Sequence, residues 1–161
     1  RKVRNGGELS TCVDELKRKL DCVEICLAAY SLKQMKKSGR VSAAAAVVGD
    51  LLGIRPIISL NAGVSKVEAK VRGDAAVPPA MIKWVESRVD SMKDTPYMVA
   101  YTSSTAKRDE LVKLCKKNFG HAPMIVFQLG GVVSANTGPD GIAIVYEGKP
   151  RNLEAYTPEL P

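Results

Sequence analysis

Residues 66–71 alternate strictly between charged and apolar side chains, with Lys66, Glu68 and Lys70 between Val67, Ala69 and Val71. A period of two is typical of a half-buried β-strand with one face on a core and the other in water. The apolar run 57–60 precedes it, and Asn61-Ala62-Gly63 between them supplies turn residues. The two segments therefore predict a β-hairpin, which requires an antiparallel strand pair.

Helical and strand patterns are mixed along the rest of the chain. Apolar, β-branched runs predict strands at 22–29, 97–101, 124–129 and 141–146. Helix-start signals stand at Thr11, Ser31, Ser42, Pro78 and Thr105. We therefore predict an α+β fold, a two-layer sandwich of helices on a mixed, largely antiparallel sheet. Residues 130–141 are predicted to form a Gly-rich connection, and the tail from Lys149 to be irregular.

Composition narrows the class of protein. The chain has 161 residues, of which 45% are hydrophobic and 25% charged, so it can bury a core. Its apolar runs are shorter than the roughly 18 residues that a membrane helix needs. The opening residues contain no secretory signal, the first residue is not Met, and four cysteines lie within apolar patterns. We expect a fragment of a cytoplasmic protein with reduced, buried thiols.

Charge is distributed unevenly along the chain. Residues 1–73 hold 14 basic and 7 acidic side chains, whereas residues 74–161 hold 10 of each, so the excess of +7 lies in the first half. Such a field favours an anionic partner: a nucleic acid, a phosphate, a membrane surface or the head group of a fatty acid. It is equally the pattern of a solubilising surface. With aromatic residues at 5%, nucleic-acid binding has little further support.

Several common catalytic motifs are missing from the sequence. There is no G-x-S-x-G, P-loop or G-x-G-x-x-G pattern, so neither a hydrolase nor a nucleotide-binding enzyme is indicated. His121 is the only histidine and follows a predicted helix end, which favours a surface position over a role as general base. Cys22 and Cys26 lack a second ligand pair, so we expect no metal site. We expect no catalytic residues and no cofactor.

Two loops remain as candidate binding sites. In residues 36–42, Arg40 can donate two hydrogen bonds to a carboxylate or phosphate, and Ser42 begins a helix whose first N–H groups favour an anion. In residues 136–141, Asn136 and Thr137 precede Gly138-Pro139, where backbone can approach a ligand closely. Each loop taken alone is equally consistent with a plain turn.

Four segments, in order, resemble signatures of the DegV family. Residues 31–42, SLKQMKKSGRVS, are similar to T-L-x-x-L-x-x-G-G-R-I-S, and residues 51–57, LLGIRPI, are similar to L-L-x-I-K-P-I. Lys70-Val71-Arg72 matches K-V-R, and Thr137-Gly138-Pro139 matches part of H-T-G-P. The resemblance covers roughly residues 8–146.

The resemblance implies a fold and a function. The family has two α/β domains that bind one long-chain fatty acid between them, and this chain resembles the C-terminal one. Residues 1–20 would then form a helix at the junction with a missing N-terminal domain, and residues 21–161 the DegV-like C-terminal α+β domain. The implied role is lipid binding by a carrier without catalysis. The implied partners are the fatty acid, a fatty acid kinase and, transiently, a membrane surface, but no nucleic acid.

The family's head-group site can be carried over by position. Arg40, with Ser42 beside it, is the signature arginine near the carboxylate, Arg72 lies near the opening, and Thr137 and Gly138 match directly. Asn136 stands where the family has histidine, and Asp140 where it usually has glycine. A neutral amide should hold a carboxylate more weakly than a protonated imidazole, by about 1 kcal/mol. The alternatives are an anion- or nucleic-acid-binding module and a dihydroxyacetone-kinase-like domain.

Overall fold

The computed structural model describes residues 3–30, 32–39, 53–61 and 63–150. Five α-helices lie in these ranges: α1 Leu9–Leu20, α2 Leu32–Lys37, α3 Val77–Ser87, α4 Thr105–Phe119 and α5 Gly131–Thr137. Six strands form one sheet: β1 Val23–Ala28, β2 Ile54–Asn61, β3 Val64–Arg72, β4 Tyr97–Tyr101, β5 Ile125–Gln128 and β6 Ile142–Glu147. Short 3₁₀ turns occur at Val3–Asn5 and Asp74–Ala76.

The strands lie in the order β3-β2-β1-β6-β4-β5. All neighbours are antiparallel except β4 and β5, which are parallel. The longest uninterrupted register at the centre joins β1 to β6, from Val23 opposite Glu147 to Ala28 opposite Ile142. The α+β class, the mixed and largely antiparallel sheet and the β2–β3 hairpin are therefore confirmed.

The larger core lies on what we call the first face of the sheet, which is covered by α3 and α4. Alternate strand residues point to it, and apolar residues of both helices, at helical spacing, pack on them. Its largest fully buried side chains include Tyr97, Phe119, Met81 and Leu111. Tyr97 meets Phe119 edge-on, with ring centroids 5.1 Å apart, which joins the start of β4 to the end of α4.

The second face carries a smaller core under the two short helices α2 and α5. Met35 of α2 is buried against Leu27, Ile58, Ala100 and Ala143, which point away from the first face. Burial of Met35 confirms the inward position that the sequence predicts for it. The long helices of the first face are thus accompanied by two short ones on the other side.

A β-bulge interrupts the alternation from which the hairpin was predicted. Ile57 is opposite Ala69 whereas Ile58 is opposite Val67, so Glu68 is an extra residue in β3. Ala69 consequently packs on the first-face core and Val67 on the second-face core. The prediction of one apolar face was therefore wrong at Val67. Glu68 accepts a hydrogen bond of 2.7 Å from the Ser59 hydroxyl, which satisfies two polar groups at the bulge.

Two further expectations need correction. Helix α1 begins at Leu9 rather than Thr11, with Glu8 as an N-cap that makes no side-chain capping bond. All four cysteines are free thiols, but only Cys26 and Cys115 are buried; Cys12 and Cys22 are half-exposed.

In the described ranges we find no helix long and apolar enough to cross a lipid bilayer.

A buried carboxylate near the end of the sheet joins β1, β6 and the segment after α3. Glu24 is 4% exposed and accepts hydrogen bonds from the Arg88 guanidinium at 2.5 and 3.1 Å and from the Tyr146 hydroxyl at 3.2 Å. Gly148 passes so close that a Cβ there would lie 3.1 Å from Cγ of Glu24. The Glu24 hydrogen bond raises the pKa of Arg88, so the guanidinium keeps its charge beside the carboxylate.

Arg88→Met should lower the free energy of unfolding by about 3 kcal/mol, because it leaves the Glu24 charge buried without its partner. Urea unfolding followed by circular dichroism measures this. The matched control is Lys149→Met, which removes an exposed ion pair with Asp90 and should cost less than about 0.5 kcal/mol. Equal losses in the two variants would contradict the importance of the buried pair.

Candidate functional site

The predicted site residues fall in different places. Arg40 and Ser42 lie outside the described residues. Asn136, Thr137 and Gly138 lie at the end of α5, just before β6, and Arg72 ends the outer strand β3. β3 is three strands from β6, which corresponds to about 14 Å across the sheet. The structure therefore keeps Arg72 apart from the other described site residues.

Asn136 and Thr137 belong to a helix, not to the loop that the sequence predicts. The Asn136 amide donates to the Val132 carbonyl at 2.8 Å, and the Thr137 hydroxyl donates to the Val133 carbonyl at 2.9 Å. Both bonds reach back one turn within α5. Such a bond leaves Asn136 one amide hydrogen and Thr137 its oxygen lone pairs for other contacts.

Backbone conformation explains the residue types at positions 138 and 140, just after α5. Gly138 has φ 80° and ψ −178°, a region populated almost only by glycine. Asp140 has φ 64° and is the one non-glycine residue with positive φ in the described ranges. This left-handed backbone conformation explains why the resemblance leads us to expect glycine at position 140. Aspartate is among the residues that tolerate the conformation.

Residues 138–141 are fastened to the segment that follows β4. The backbone N–H of Asp140 donates to Ser103 Oγ at 3.2 Å, and that of Gly141 donates to Thr102 Oγ1 at 2.8 Å. A Cβ on Gly141 would lie 3.1 Å from the Thr102 methyl carbon. The glycine thus permits a close approach, and the two hydroxyls hold the backbone of residues 140 and 141 in place.

The described part of the first loop follows a helix that contacts the helix of the second. α2 contacts α5, and the chain passes from α2 through Ser38 and Gly39 to Arg40. The contact brings the helix preceding the first loop against the helix that carries Asn136 and Thr137.

A cluster of charges at the same end of the sheet escaped the sequence analysis. The Lys107 ammonium lies 3.3 Å from the centroid of the Tyr30 ring, 3.0 Å from Asp74 and 3.9 Å from Asp140. Arg55 donates to the other Asp74 oxygen at 2.8 Å. Five separate segments meet here, and no short motif in the sequence marks them.

The cluster favours a charged Asp74 and a neutral Tyr30. Burial alone would raise the pKa of the Asp74 carboxyl, but hydrogen bonds from Lys107 and Arg55 outweigh burial and lower it. Burial, with the negative charge of Asp74 adding to it, raises the pKa of the Tyr30 phenol. Both cations are thus compensated by carboxylates, so the cluster holds segments together rather than presenting free charge.

An apolar row crosses the second face of the sheet beyond the two short helices. Register places Ile25, Val145, Met98 and Ile125 side by side on β1, β6, β4 and β5. Ile25 and Phe127 pack on the second-face core, and side chains of paired residues share a face, so all four point there. The first three are half-buried, and Ile125 is 51% exposed. We call these four residues the apolar row.

Few other features of the described residues could form a metal site, a catalytic site or a ligand cavity. Within the ranges given above there is no group of three or more His, Cys, Asp or Glu side chains that could hold a metal ion. His121 is half-buried, with Nε2 2.9 Å from the Met92 carbonyl and its ring edge-on to Tyr97, so the expected surface position was only partly right. Two open cavities of about 420 and 440 Å³ share residues 89–91 at the opposite end of the sheet, away from α5.

Comparisons with known proteins agree on one family. A family model described as "Uncharacterised protein, DegV family" matches residues 1–149. A DegV domain-containing protein of Clostridium perfringens is 25% identical over 142 residues, which are 88% of this chain and 48% of the relative. One from Clostridium acetobutylicum is 29% identical over 116 residues, 72% of this chain and 40% of the relative.

Solved structures share the fold. A DegV family protein from Eubacterium eligens loaded with heptadecanoic acid has a TM-score of 0.79 at 19% identity, with 92% of this chain and 53% of that chain covered. A stearic acid-binding protein from Eubacterium ventriosum has a TM-score of 0.77 at 18% identity, with 97% and 54% covered. The chain thus spans about half the length of the relatives that it matches.

Asp74→Asn should change how the free energy of unfolding depends on pH under acidic conditions. The folded pKa of Asp74 lies below its unfolded value, so the charged carboxylate stabilises the fold at neutral pH, and this is lost as pH falls from about 4 through the folded pKa. We expect Asp74→Asn to be less stable at pH 7, by up to about 1 kcal/mol, and to depend less on pH below about 4. Urea unfolding across this range measures both effects.

Asp90→Asn provides the control, because Asp90 is 92% exposed and makes only a surface ion pair with Lys149. It should keep the acid dependence of the unsubstituted chain. If Asp74→Asn also keeps the acid dependence of the unsubstituted chain, the Lys107–Asp74–Arg55 cluster does not stabilise the charged carboxylate.

Proposed function

This chain belongs to the DegV family, and we propose that it is the C-terminal half of a protein that binds one long-chain fatty acid. Support comes from the family match over residues 1–149 and from relatives of about twice this length. Residues 1–20 would lie at the junction with an N-terminal domain, and residues 21–161 would form the C-terminal domain. The exposed apolar stripe of α1, at Leu9, Val13, Leu16 and Leu20, suits such a junction.

The apolar row is the observation that carries the proposal. Four aliphatic or thioether side chains in adjacent register form a strip across four strands, about 14 Å from β1 to β5. Apolar surface left half-open beside a closed core is typical of a ligand-binding face. An extended acyl chain laid along this strip would bury methylenes at about 0.8 kcal/mol each.

The head group would lie where α2 and α5 meet. We assign the carboxylate to Arg40, Asn136 and Thr137, with Ser42 and Gly138 offering backbone N–H groups and Arg72 closer to the opening. Contact between α2 and α5 supports this assignment for the two loops. The separation of β3 from β6 makes Arg72 a peripheral member.

Asn136 should make this a weaker carboxylate site than one with histidine. Its amide remains neutral, and one of its hydrogens is already bonded to the Val132 carbonyl. Charge-assisted hydrogen bonds are roughly twice as strong as neutral ones, so the guanidinium of Arg40 would carry most of the electrostatic attraction.

We further propose a cytoplasmic carrier without catalysis that takes no cofactor and presents its fatty acid to a separate kinase. In the described ranges, the hydroxyls near the site are engaged: Thr137 bonds Val133, and Thr102 and Ser103 hold the backbone of residues 140 and 141. No histidine lies among them to activate a hydroxyl as a nucleophile, which supports a binding role. The four free thiols suit a reducing compartment.

Joined to its N-terminal half, the chain should release a long-chain fatty acid on extraction, whereas the chain alone should bind heptadecanoic acid weakly. Val145→Asn, within the apolar row, should weaken acyl binding by roughly 5- to 150-fold, because its amide would oppose apolar burial at a cost of about 1–3 kcal/mol. Native mass spectrometry and lipid extraction measure the occupancy.

Val112→Asn is the matched control, since Val112 is also half-buried but packs on the first-face core. It should keep its lipid if folded. Equal loss of lipid in both variants, or a folded two-domain protein that carries no acyl chain, would contradict the proposal.

A further inference from the structure

Strands β1 and β6 separate at the end of the sheet where the candidate site lies. Their last paired residues are Ala28 and Ile142, and in the described ranges no pairing of β1 with β6 continues past them. Beyond that pair, β1 leads through Tyr30 into α2, whereas the chain that enters β6 comes from α5 through Asp140. A contact that joins these two segments here therefore helps to set how α2 lies against α5.

The Lys107 side chain joins both segments at this point. Its ammonium lies 3.3 Å from the centroid of the Tyr30 ring and 3.9 Å from a carboxylate oxygen of Asp140. The ring attracts the cation through its quadrupole, and the carboxylate attracts it through its charge. Tyr30 lies two residues beyond the last paired residue of β1, and Asp140 lies two residues before the first paired residue of β6. One cation thus contacts the segment before α2 and the segment after α5.

Further contacts hold Lys107 itself in place. The Asp74 carboxylate lies 3.0 Å from its ammonium, and Asp74 also accepts a hydrogen bond of 2.8 Å from Arg55. The backbone N–H of Lys107 donates to Oγ of Ser104, the N-cap of α4, and only 21% of the lysine side chain is exposed. A cation in the first turn of a helix is disfavoured by the positive end of the helix dipole. The tertiary contacts, rather than helix preference, therefore account for a lysine at this position.

We propose that Lys107 is a positioning residue for the head group of the bound fatty acid. It acts through Tyr30 and Asp140, by setting how α2 and α5 lie relative to each other, and does not itself bind the carboxylate. Its charge is compensated by Asp74 and Asp140, which argues against direct attraction of the ligand. The inference rests on the proposed function, because it takes the carboxylate to be bound where α2 and α5 meet.

The substitution Asp140→Asn distinguishes positioning from simple attraction. If Lys107 only attracted the carboxylate, loss of the Asp140 charge would strengthen the binding of an acid, because a repelling charge is removed. If Lys107 positions the two segments, the same substitution weakens the binding of an acid, because one of the two attachments is lost. Asparagine tolerates the left-handed backbone of residue 140, with φ 64°, so the substitution does not strain this segment.

The test uses the chain joined to its N-terminal half and compares its affinities for heptadecanoic acid and for heptadecanol, which lacks the carboxylate. Competition with a fluorescent acyl probe measures both affinities. We expect Lys107→Met to lower the preference for the acid at least about threefold, and Asp140→Asn to lower it about twofold. Binding of heptadecanol should change little. Lys113→Met, which removes an exposed lysine from the same helix, is the matched control and should keep the preference.

Circular dichroism verifies the fold of each variant, and Asp140→Asn decides the question should Lys107→Met fail to fold. A lower preference for the acid in Lys107→Met and Asp140→Asn, but not in Lys113→Met, supports the positioning role. A preference that Lys107→Met leaves unchanged, that Asp140→Asn raises or leaves unchanged, or that Lys113→Met lowers equally, overturns this role while acyl binding stands. An unsubstituted two-domain protein that binds neither probe would overturn the proposed function, and this inference with it.

Discussion

The antiparallel pair β1–β6 is the contact on which the rest of the fold depends. Six consecutive residues of each strand are in register at the centre of the sheet, although they lie about 120 positions apart in the chain. Alternate side chains of both strands supply the two cores, with Cys26 and Ile144 on the first face and Leu27 and Ala143 on the second. The same pairing sets the end of β1 beside the start of β6, where the candidate site lies.

Periodicity and turn residues were enough to predict the fold class, but not features set by distant contacts. The hairpin and the buried strands have local signals, whereas the bulge at Glu68 depends on how Ile57 and Ile58 pair across the hairpin. Helix α5 escaped prediction because glycines and β-branched valines have low helix propensity. It is held by contact with α2 and by side-chain bonds such as that from Ser134 to the Leu129 carbonyl.

The candidate site was predictable only as a set of sequence segments. Thr137 and Gly138 were singled out as part of a candidate loop and again by the family resemblance. The structure adds the helix that carries Thr137 and the bonds that join residues 140 and 141 to Ser103 and Thr102. The charge cluster around Lys107 joins residues that are tens of positions apart, so no spacing rule could reveal it. The apolar row could not be read from one strand, because each of its four strands contributes one residue.

The position of β6 near the end of the described chain has a consequence during synthesis. A ribosome releases β1 long before residues 142–147, so the nascent β1 can pair only with β2, through the three residues 26–28. Its other edge stays open until residues 142–147 have been translated. Formation of the complete sheet must therefore wait for synthesis of β6, although β1, β2 and β3 precede it in the chain.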